Sequence, residues 1–136
     1  MVMLVSGKDH RFFYEAYNDA SDLDGDGAID IRFKPSITYL GLFNPDYCYT
    51  HNNQNNNTGL FTPDGLATMP GRKCSGKWSG NWLNYVTTSR MDALQVVLYG
   101  GTREDDTSSQ TVLRRAYIPQ DAHSWAKEYT SEALDG

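Results

Sequence analysis

Residues 22–30 read Asp22-Leu23-Asp24-Gly25-Asp26-Gly27-Ala28-Ile29-Asp30, with acidic side chains at loop positions 1, 3, 5 and 9. Calcium takes six to eight oxygen ligands, and calcium loops supply side-chain oxygens at these positions, a carbonyl at position 7 and a glycine at position 6 for the turn. Carboxylates this close together would repel one another without a cation. The stretch therefore predicts a calcium site formed by Asp22, Asp24, Asp26, the carbonyl of Ala28, and Asp30.

The twelfth position of the loop departs from the helix-loop-helix version of this site. A bidentate Glu normally closes the metal sphere there, but this chain has Phe33, which carries no oxygen on its side chain. The last ligand is therefore expected from elsewhere in or near the loop region 17–33, with Asp19, Glu15 and Asp46 as the nearest candidates. The alternative is a solvated acidic turn, because Asp and Gly are common turn residues for backbone reasons alone.

Composition excludes several classes of partner. The chain has 136 residues and a net charge of -5, so it offers no basic surface for nucleic acid or for an anionic membrane. No apolar run approaches the ~20 residues that cross a bilayer, and the short run 1–5 lacks the flanks of a signal peptide. With 39% hydrophobic residues, a chain of this length is expected to form one domain or part of one.

Cys48 and Cys74 are the only cysteines, and the segment 48–74 between them is polar and rich in turn residues. A disulfide closing this loop would stabilise the fold by about 3–4 kcal/mol in an oxidising compartment. Two free thiols are one alternative. Zinc held by Cys48, His51 and Cys74 is another, although a structural zinc site needs a fourth ligand. The disulfide is the favoured interpretation.

The pattern of apolar residues predicts a mixed fold. Residues 1–6 predict a first strand, and the segments 29–33 and 37–43 are rich in aromatic and β-branched residues typical of strands. The polar tract 51–59 is expected to be an exposed loop, and a helix is expected to begin at Pro119 and to run to about Tyr129.

A single long helix is predicted over residues 79–101. Ser79 or Asn81 can cap its start, and Gly100 and Gly101 suit its end. Apolar residues at helical spacing predict a packed face rather than a sugar-stacking platform: these are Trp82, Val86, Ala93 and Val97.

Motifs of catalysis are not found in the sequence. The stretch Gly71-Arg72-Lys73-Cys74-Ser75-Gly76-Lys77 resembles a phosphate-binding loop, but Trp78 stands where a Ser or Thr should hold magnesium. No nucleophile-elbow motif or related signature is present. An enzyme is therefore not expected.

Several segments together resemble the PilY/PilC proteins found at the tips of bacterial type IV pili. They include Tyr17-Asn18-Asp19-Ala20-Ser21-Asp22 with the loop that follows, Trp78-Ser79-Gly80-Asn81-Trp82-Leu83-Asn84-Tyr85, and the ranges 2–5, 34–43, 90–94, 97–101 and 115–129. The match runs along nearly the whole chain in order, which is more specific than any one motif.

The resemblance implies a secreted, non-enzymatic protein that acts in pilus biogenesis and surface adhesion, at the pilus tip or the bacterial cell surface. Its partners would be pilus components or a host or abiotic surface. The implied fold is α/β or α+β, an N-terminal fragment resembling a degenerate von Willebrand factor A-like module with a calcium-loop insertion. Such a fragment would leave part of the long helix unpacked, so self-association is also expected.

One departure from that module bears on metal binding. Von Willebrand factor A modules carry Asp-x-Ser-x-Ser after the first strand, whereas Ser6-Gly7-Lys8-Asp9-His10 follows it here. This departure argues against an adhesion-type metal site at that place. The alternative function is a free-standing, calcium-dependent module that recognises carbohydrate or another surface, for which the Trp and Tyr content is the support.

Overall fold

The structure is a computed structural model that describes residues 10–52 and 59–130. After a 3-10 helix, the described elements are two helices and five short strands. In chain order they are the 3-10 helix His10–Phe13, β1 Tyr47–His51, β2 Phe61–Leu66, β3 Trp78–Ser79, α1 Gly80–Thr87, α2 Arg90–Tyr99, β4 Thr102–Asp106 and β5 Thr111–Arg114.

The strands form two small antiparallel sheets. β1 lies between β2 and β3 in one sheet, and β4 pairs with β5 in the other. Helices beside antiparallel sheets make this a small α+β arrangement. The parallel strands that a von Willebrand factor A-like module implies are absent from residues 10–52 and 59–130, and the predicted first strand, 1–6, lies outside these ranges.

The core is aromatic and lies against one face of α1. Phe33, Tyr39, Trp82 and Tyr85 are buried together, and the ring of Phe33 lies 5.4 Å from Tyr39, 5.1 Å from Trp82 and 5.6 Å from Tyr85 between centroids. Aromatic pairs at these separations contribute beyond the apolar area they bury. Phe33, which cannot be a metal ligand, therefore joins the acidic loop to the core.

Two buried amides on α1 hold the irregular segment that crosses it. The side chain of Asn81 accepts from the Tyr39 N–H and donates to the Ile37 carbonyl, both at 2.8 Å. The side chain of Asn84 accepts from the Phe43 N–H at 3.0 Å and donates to the carbonyls of Tyr39 and Phe43, each at 2.8 Å. Both amides are fully buried. We refer to Asn81 and Asn84 as the amide pair.

The predicted strands at 29–33 and 37–43 are wrong, because the backbone finds other partners there. Buried backbone groups need hydrogen bonds, and side chains can supply them in place of a neighbouring strand. The amide pair does so for segment 37–43. Gly41 lies so close to α1 that a Cβ atom would overlap the side chains of Asn84 and Thr88.

The predicted single helix over 79–101 is also wrong, since it is broken into α1 and α2. Thr88 and Ser89 have extended backbone, and Ser89 caps α2 in a capping box with Asp92. The chain that follows the 3-10 helix crosses this break, where the Ala16 N–H donates to the Thr88 carbonyl at 3.0 Å. A Ser-x-x-Asp sequence is a helix-start signal, so Ser89 and Asp92 indicate in the sequence that a new helix begins here.

The break separates the predicted apolar stripe into two parts. Trp82 is buried and Val86 packs against the core, whereas Val97 on α2 is 77% exposed. Leu98 and Tyr99 are exposed as well. The self-association expected from an unpacked helix stays a prediction, and it now concerns α2 alone.

The predicted helix from Pro119 to Tyr129 is wrong, because residues 120–123 form a turn and residues 124–130 have no regular secondary structure. The Asp121 carboxylate accepts from the His123 N–H at 2.9 Å, which favours a turn over a helix. Farther along, the indole N–H of Trp125 donates to the Val86 carbonyl at 2.9 Å. Contacts with α1 thus hold this segment across the domain.

The disulfide between Cys48 and Cys74 is present and buried. It joins the central strand β1 to the segment that leads into β3. The ring of His51 lies beside Phe61, with centroids 4.7 Å apart. The zinc and free-thiol interpretations are therefore wrong.

We expect the disulfide to contribute measurable stability. Cys48→Ser combined with Cys74→Ser should lower the free energy of unfolding by about 3 kcal/mol, because the cross-link closes a loop of 26 residues in the unfolded chain. Denaturant unfolding measures the difference. Mass spectrometry of oxidised protein should show the loss of two hydrogens, and two freely alkylated thiols would contradict the structure.

We also expect the amide pair to be essential for the fold. Asn84→Ala leaves a buried N–H and two carbonyls without their partner, which should cost about 2–4 kcal/mol. Gln110→Ala removes an amide from an exposed position and serves as the control in the same denaturant series. Equal stability of the two variants would contradict the role assigned to Asn84.

Candidate metal centre

The first turn of the acidic loop is shaped by Asp22. Its two carboxylate oxygens accept from the N–H groups of Gly25 at 2.7 Å and Gly27 at 2.9 Å. Both glycines have positive φ, 78° and 87°, a conformation that costs glycine little and other residues much more. The glycines therefore allow the loop to fold back over Asp22.

The next two carboxylates extend the turn along the backbone. Asp24 Oδ1 accepts from the Asp26 N–H at 3.2 Å, and Asp26 Oδ1 accepts from the Ala28 N–H at 2.8 Å. In each case the second carboxylate oxygen makes no hydrogen bond within the turn. These second oxygens remain available as ligands for a cation.

Asp30 closes the loop from its far end. Its N–H donates to the Ser21 carbonyl at 2.9 Å, and its Oδ2 accepts from the Leu23 N–H at 2.5 Å. The residue is only 1% exposed, and its Oδ1 is buried without a hydrogen-bonding group other than the ammonium of Lys34. A buried carboxylate oxygen requires a cation or a donor, and the Lys34 ammonium meets this requirement here.

Three of the predicted side chains come together. Carboxylate oxygens of Asp22, Asp24 and Asp30 lie within 4.8 Å of one another. Asp26 is not part of this group, and its side chain is 53% exposed. The donors are all hard oxygens, which suits calcium and not the softer zinc. The residues present therefore fit the predicted ion.

Lys34 was missed in the sequence, although it follows Asp30 by four residues. Its ammonium forms an ion pair with Asp30 Oδ1 and lies 3.7 Å from Asp24 Oδ2 and 4.0 Å from Asp26 Oδ2. The hydrogen bond between the Lys34 ammonium and the Asp30 carboxylate lowers the pKa of Asp30 and raises the pKa of Lys34. The loop thus holds one internal cation.

The residues considered for the last ligand do not join the carboxylate group. Asp46 pairs with Arg72 at 2.9 Å. Glu15 forms an isolated backbone bridge with Ser89. Asp19 accepts from the Tyr85 hydroxyl at 2.8 Å and the Arg32 N–H at 3.1 Å.

Lys127 connects the C-terminal segment 119–130 to the same region. Its ammonium donates to the Tyr17 carbonyl at 2.7 Å and to Asp19 at 3.2 Å, and it lies 4.7 Å from the centre of the Tyr85 ring. The side chain is only 5% exposed. Asp19 therefore has a structural role: it joins the acidic loop region, α1 and the C-terminal segment.

Comparison with known proteins identifies the family. The profile described as PilY1 homolog, small alpha/beta domain, matches residues 30–136. The chain belongs to the PilY1 homolog family. It is 57% identical over 136 residues to a type IV pilus biogenesis factor PilY1 homolog of Xylella fastidiosa strain Temecula1, an alignment that covers 98% of this chain and 9% of that protein. The predicted resemblance to PilY/PilC proteins is confirmed.

A second PilY1 homolog from the same strain is 28% identical over 91 residues, covering 63% of this chain and 8% of that relative. The chain thus spans less than a tenth of the length of the curated relatives it matches. No solved structure matches it. Among residues 10–52 and 59–130, no helix is long and apolar enough to cross a membrane.

The family profile begins at Asp30, so the loop residues 22–29 lie outside it. The 57% identical relative, in contrast, aligns with 98% of this chain. The matched range thus begins at the last residue of the acidic loop, although Tyr17 and Leu23, which precede Asp30, pack against the same core.

We expect the contacts of Asp19 to produce acid sensitivity. Burial raises the pKa of Asp19, but the hydrogen bonds from Tyr85 and Lys127 outweigh it and hold the pKa below its ordinary value of 3.8. A lowered folded-state pKa contributes stability above the unfolded pKa, and this contribution is lost as pH falls through the folded pKa.

Asp19→Asn should therefore make the unfolding midpoint less dependent on pH below about 4, because it removes this titrating group. Thermal melts between pH 2 and pH 6 measure the slope. Asp105→Asn makes the same charge change at an exposed strand position. An equal effect of the two variants on the slope would count against the special role of Asp19.

Proposed function

We propose that this domain is a calcium-binding, non-enzymatic part of an extracellular type IV pilus protein that acts in pilus biogenesis and surface adhesion. The observation that carries the calcium part is the convergence of Asp22, Asp24 and Asp30 around a buried carboxylate oxygen. The pilus part is supported by the relatives, which are named type IV pilus biogenesis factors.

Calcium would neutralise the carboxylates and stiffen the loop. Asp22, Asp24 and Asp30 would hold it, with Asp26 and the carbonyl of Ala28 as the further donors that the loop pattern supplies. No glutamate stands at position 12, so we expect a dissociation constant of about 10⁻⁴ to 10⁻³ M, as in extracellular modules. Bound calcium would stabilise the folded domain by mass action.

The disulfide supports an extracellular location. Buried disulfides persist in secreted and cell-surface proteins and are rare in reducing compartments. We place the domain at the pilus tip or the bacterial cell surface, where its partners would be pilus components or a host or abiotic surface. The von Willebrand factor A-like region implied by the resemblance would be a feature of the longer protein.

A second candidate function is calcium-dependent recognition of carbohydrate. Two neighbouring exposed rings favour it: Trp78 is 45% exposed, Tyr129 is 49% exposed, and their centroids are 6.4 Å apart. Sugars stack on such rings through their apolar faces. Glycan-array binding that is lost in Trp78→Ala would support this function over a purely structural one.

Calorimetry tests the calcium site directly. Asp24→Asn and Asp30→Asn each remove a charged ligand and should weaken calcium binding at least tenfold, whereas Asp105→Asn should leave it unchanged. The calcium heat should be visible at millimolar concentration. No calcium heat in the unmodified protein, or equal binding in all three variants, would refute the site.

The pilus role requires the full-length protein in a bacterium that produces it. Combining Asp22→Asn, Asp24→Asn and Asp30→Asn should reduce surface piliation or attachment most at millimolar calcium, where the loop is expected to fill. Asp105→Asn in the same protein is the control. Unchanged piliation and attachment in the triple variant, with the protein exported normally, would contradict a role for the loop in pilus function.

A further inference from the structure

Lys34 contacts two of the three carboxylates that would hold calcium, those of Asp24 and Asp30. Its ammonium pairs with the buried Oδ1 of Asp30 and approaches Asp24 Oδ2 at 3.7 Å and Asp26 Oδ2 at 4.0 Å. Asp24 and Asp30 are also members of the carboxylate group that fits calcium. The same two carboxylates would thus be shared between the ammonium and a calcium ion.

We propose that Lys34 is an internal competitor of calcium, which holds the loop in its calcium-free form and sets the calcium concentration at which the site fills. This inference rests on the proposed calcium site. On this proposal, Lys34 controls the calcium affinity although it does not itself bind calcium.

The backbone of Lys34 is fixed, while its side chain is free to leave. Its N–H donates to the Tyr39 hydroxyl at 3.1 Å, and its carbonyl accepts from the Ile37 N–H at 3.0 Å. The preceding residue, Phe33, is buried in the core. The side chain is 33% exposed, so its ammonium can reach water by rotation of the side chain alone.

Simultaneous occupation is unfavourable. Calcium would lie about 2.3–2.6 Å from Asp30 Oδ1, and the ammonium is already in contact with that oxygen. Two cations at this separation repel strongly in a partly buried site. Calcium entry therefore requires Lys34 to move toward solvent, and part of the binding energy is used to break its ion pairs.

The competition has opposite effects on the two forms of the protein. In the calcium-free form, Lys34 offsets the repulsion among the carboxylates and stabilises the loop. In the calcium-bound form, it contributes little and its charge opposes the ion. A neutral residue at position 34 should thus make the fold depend more on calcium.

Lys34→Met tests this prediction because Met keeps a similar length without the charge. Calorimetry should show calcium binding about tenfold tighter than in the unmodified protein, since a positive charge near the ion has been removed. Thermal melts should show a lower melting temperature without calcium and a larger rise on adding it.

Two further variants separate local from general effects. Lys77→Met removes a charge from an exposed pair with Asp64. It should change neither the calcium affinity nor the rise in melting temperature on adding calcium. Lys34→Arg keeps the charge and should bind calcium much as the unmodified protein does. Should Lys34→Met fold poorly alone, refolding it in millimolar calcium and titrating a weak chelator against it gives the same affinity.

The outcomes distinguish this inference from the site on which it rests. Calcium heat in the unmodified protein with an equal dissociation constant in Lys34→Met would overturn the competition and leave the site standing. Weaker binding in Lys34→Met would also overturn it. No binding in either protein would overturn both.

Discussion

The fold depends on satisfying a stretch of backbone that has no neighbouring strand. Segment 37–43 crosses α1 as an irregular chain, and buried N–H and carbonyl groups without partners would each cost about 1–3 kcal/mol. The amide pair supplies both donors and acceptors for this segment. Because Asn has both kinds of atom on one short side chain, two residues one turn apart serve a run of backbone that would otherwise need a strand.

This arrangement also determines how the acidic loop is held. With the segment 37–43 fixed across α1, Tyr39 packs against Phe33, the residue at position 12 of the loop. A glutamate there would have to turn toward the metal and leave a gap in the core. Position 12 therefore serves the core through Phe33, and for this reason the proposed calcium site would lack a bidentate ligand and bind weakly.

The sequence predicted local chemistry better than secondary structure. The alternating Asp residues identified a group of carboxylates, and the two cysteines identified the disulfide, because both depend on residue type and short-range spacing. The strands at 29–33 and 37–43 were wrong because their aromatic and β-branched residues serve a core built around α1. The irregular chain at 119–129 is held by contacts of Trp125 and Lys127 with residues far away in the sequence, and the spacing of apolar residues does not predict such contacts. The helix break is indicated in the sequence by Ser89-x-x-Asp92, and the ion pair of Lys34 by its spacing from Asp30. A search for apolar stripes detects neither signal.

Asp30 connects the proposed metal site to the rest of the domain. The carboxylate of Asp30 contacts Lys34, its N–H is bonded to Ser21, and three residues later Phe33 enters the core. A cation at Asp30 would therefore lie three residues along the chain from the aromatic core. The ion pair between Asp19 and Lys127 brings the C-terminal segment to the acidic loop region. Exchange of Lys34 for calcium would thus change the stability of a junction between three parts of the chain. A site with these properties is suited to stiffening a domain in a calcium-rich environment outside the cell, where the free ion is abundant enough for weak sites to fill.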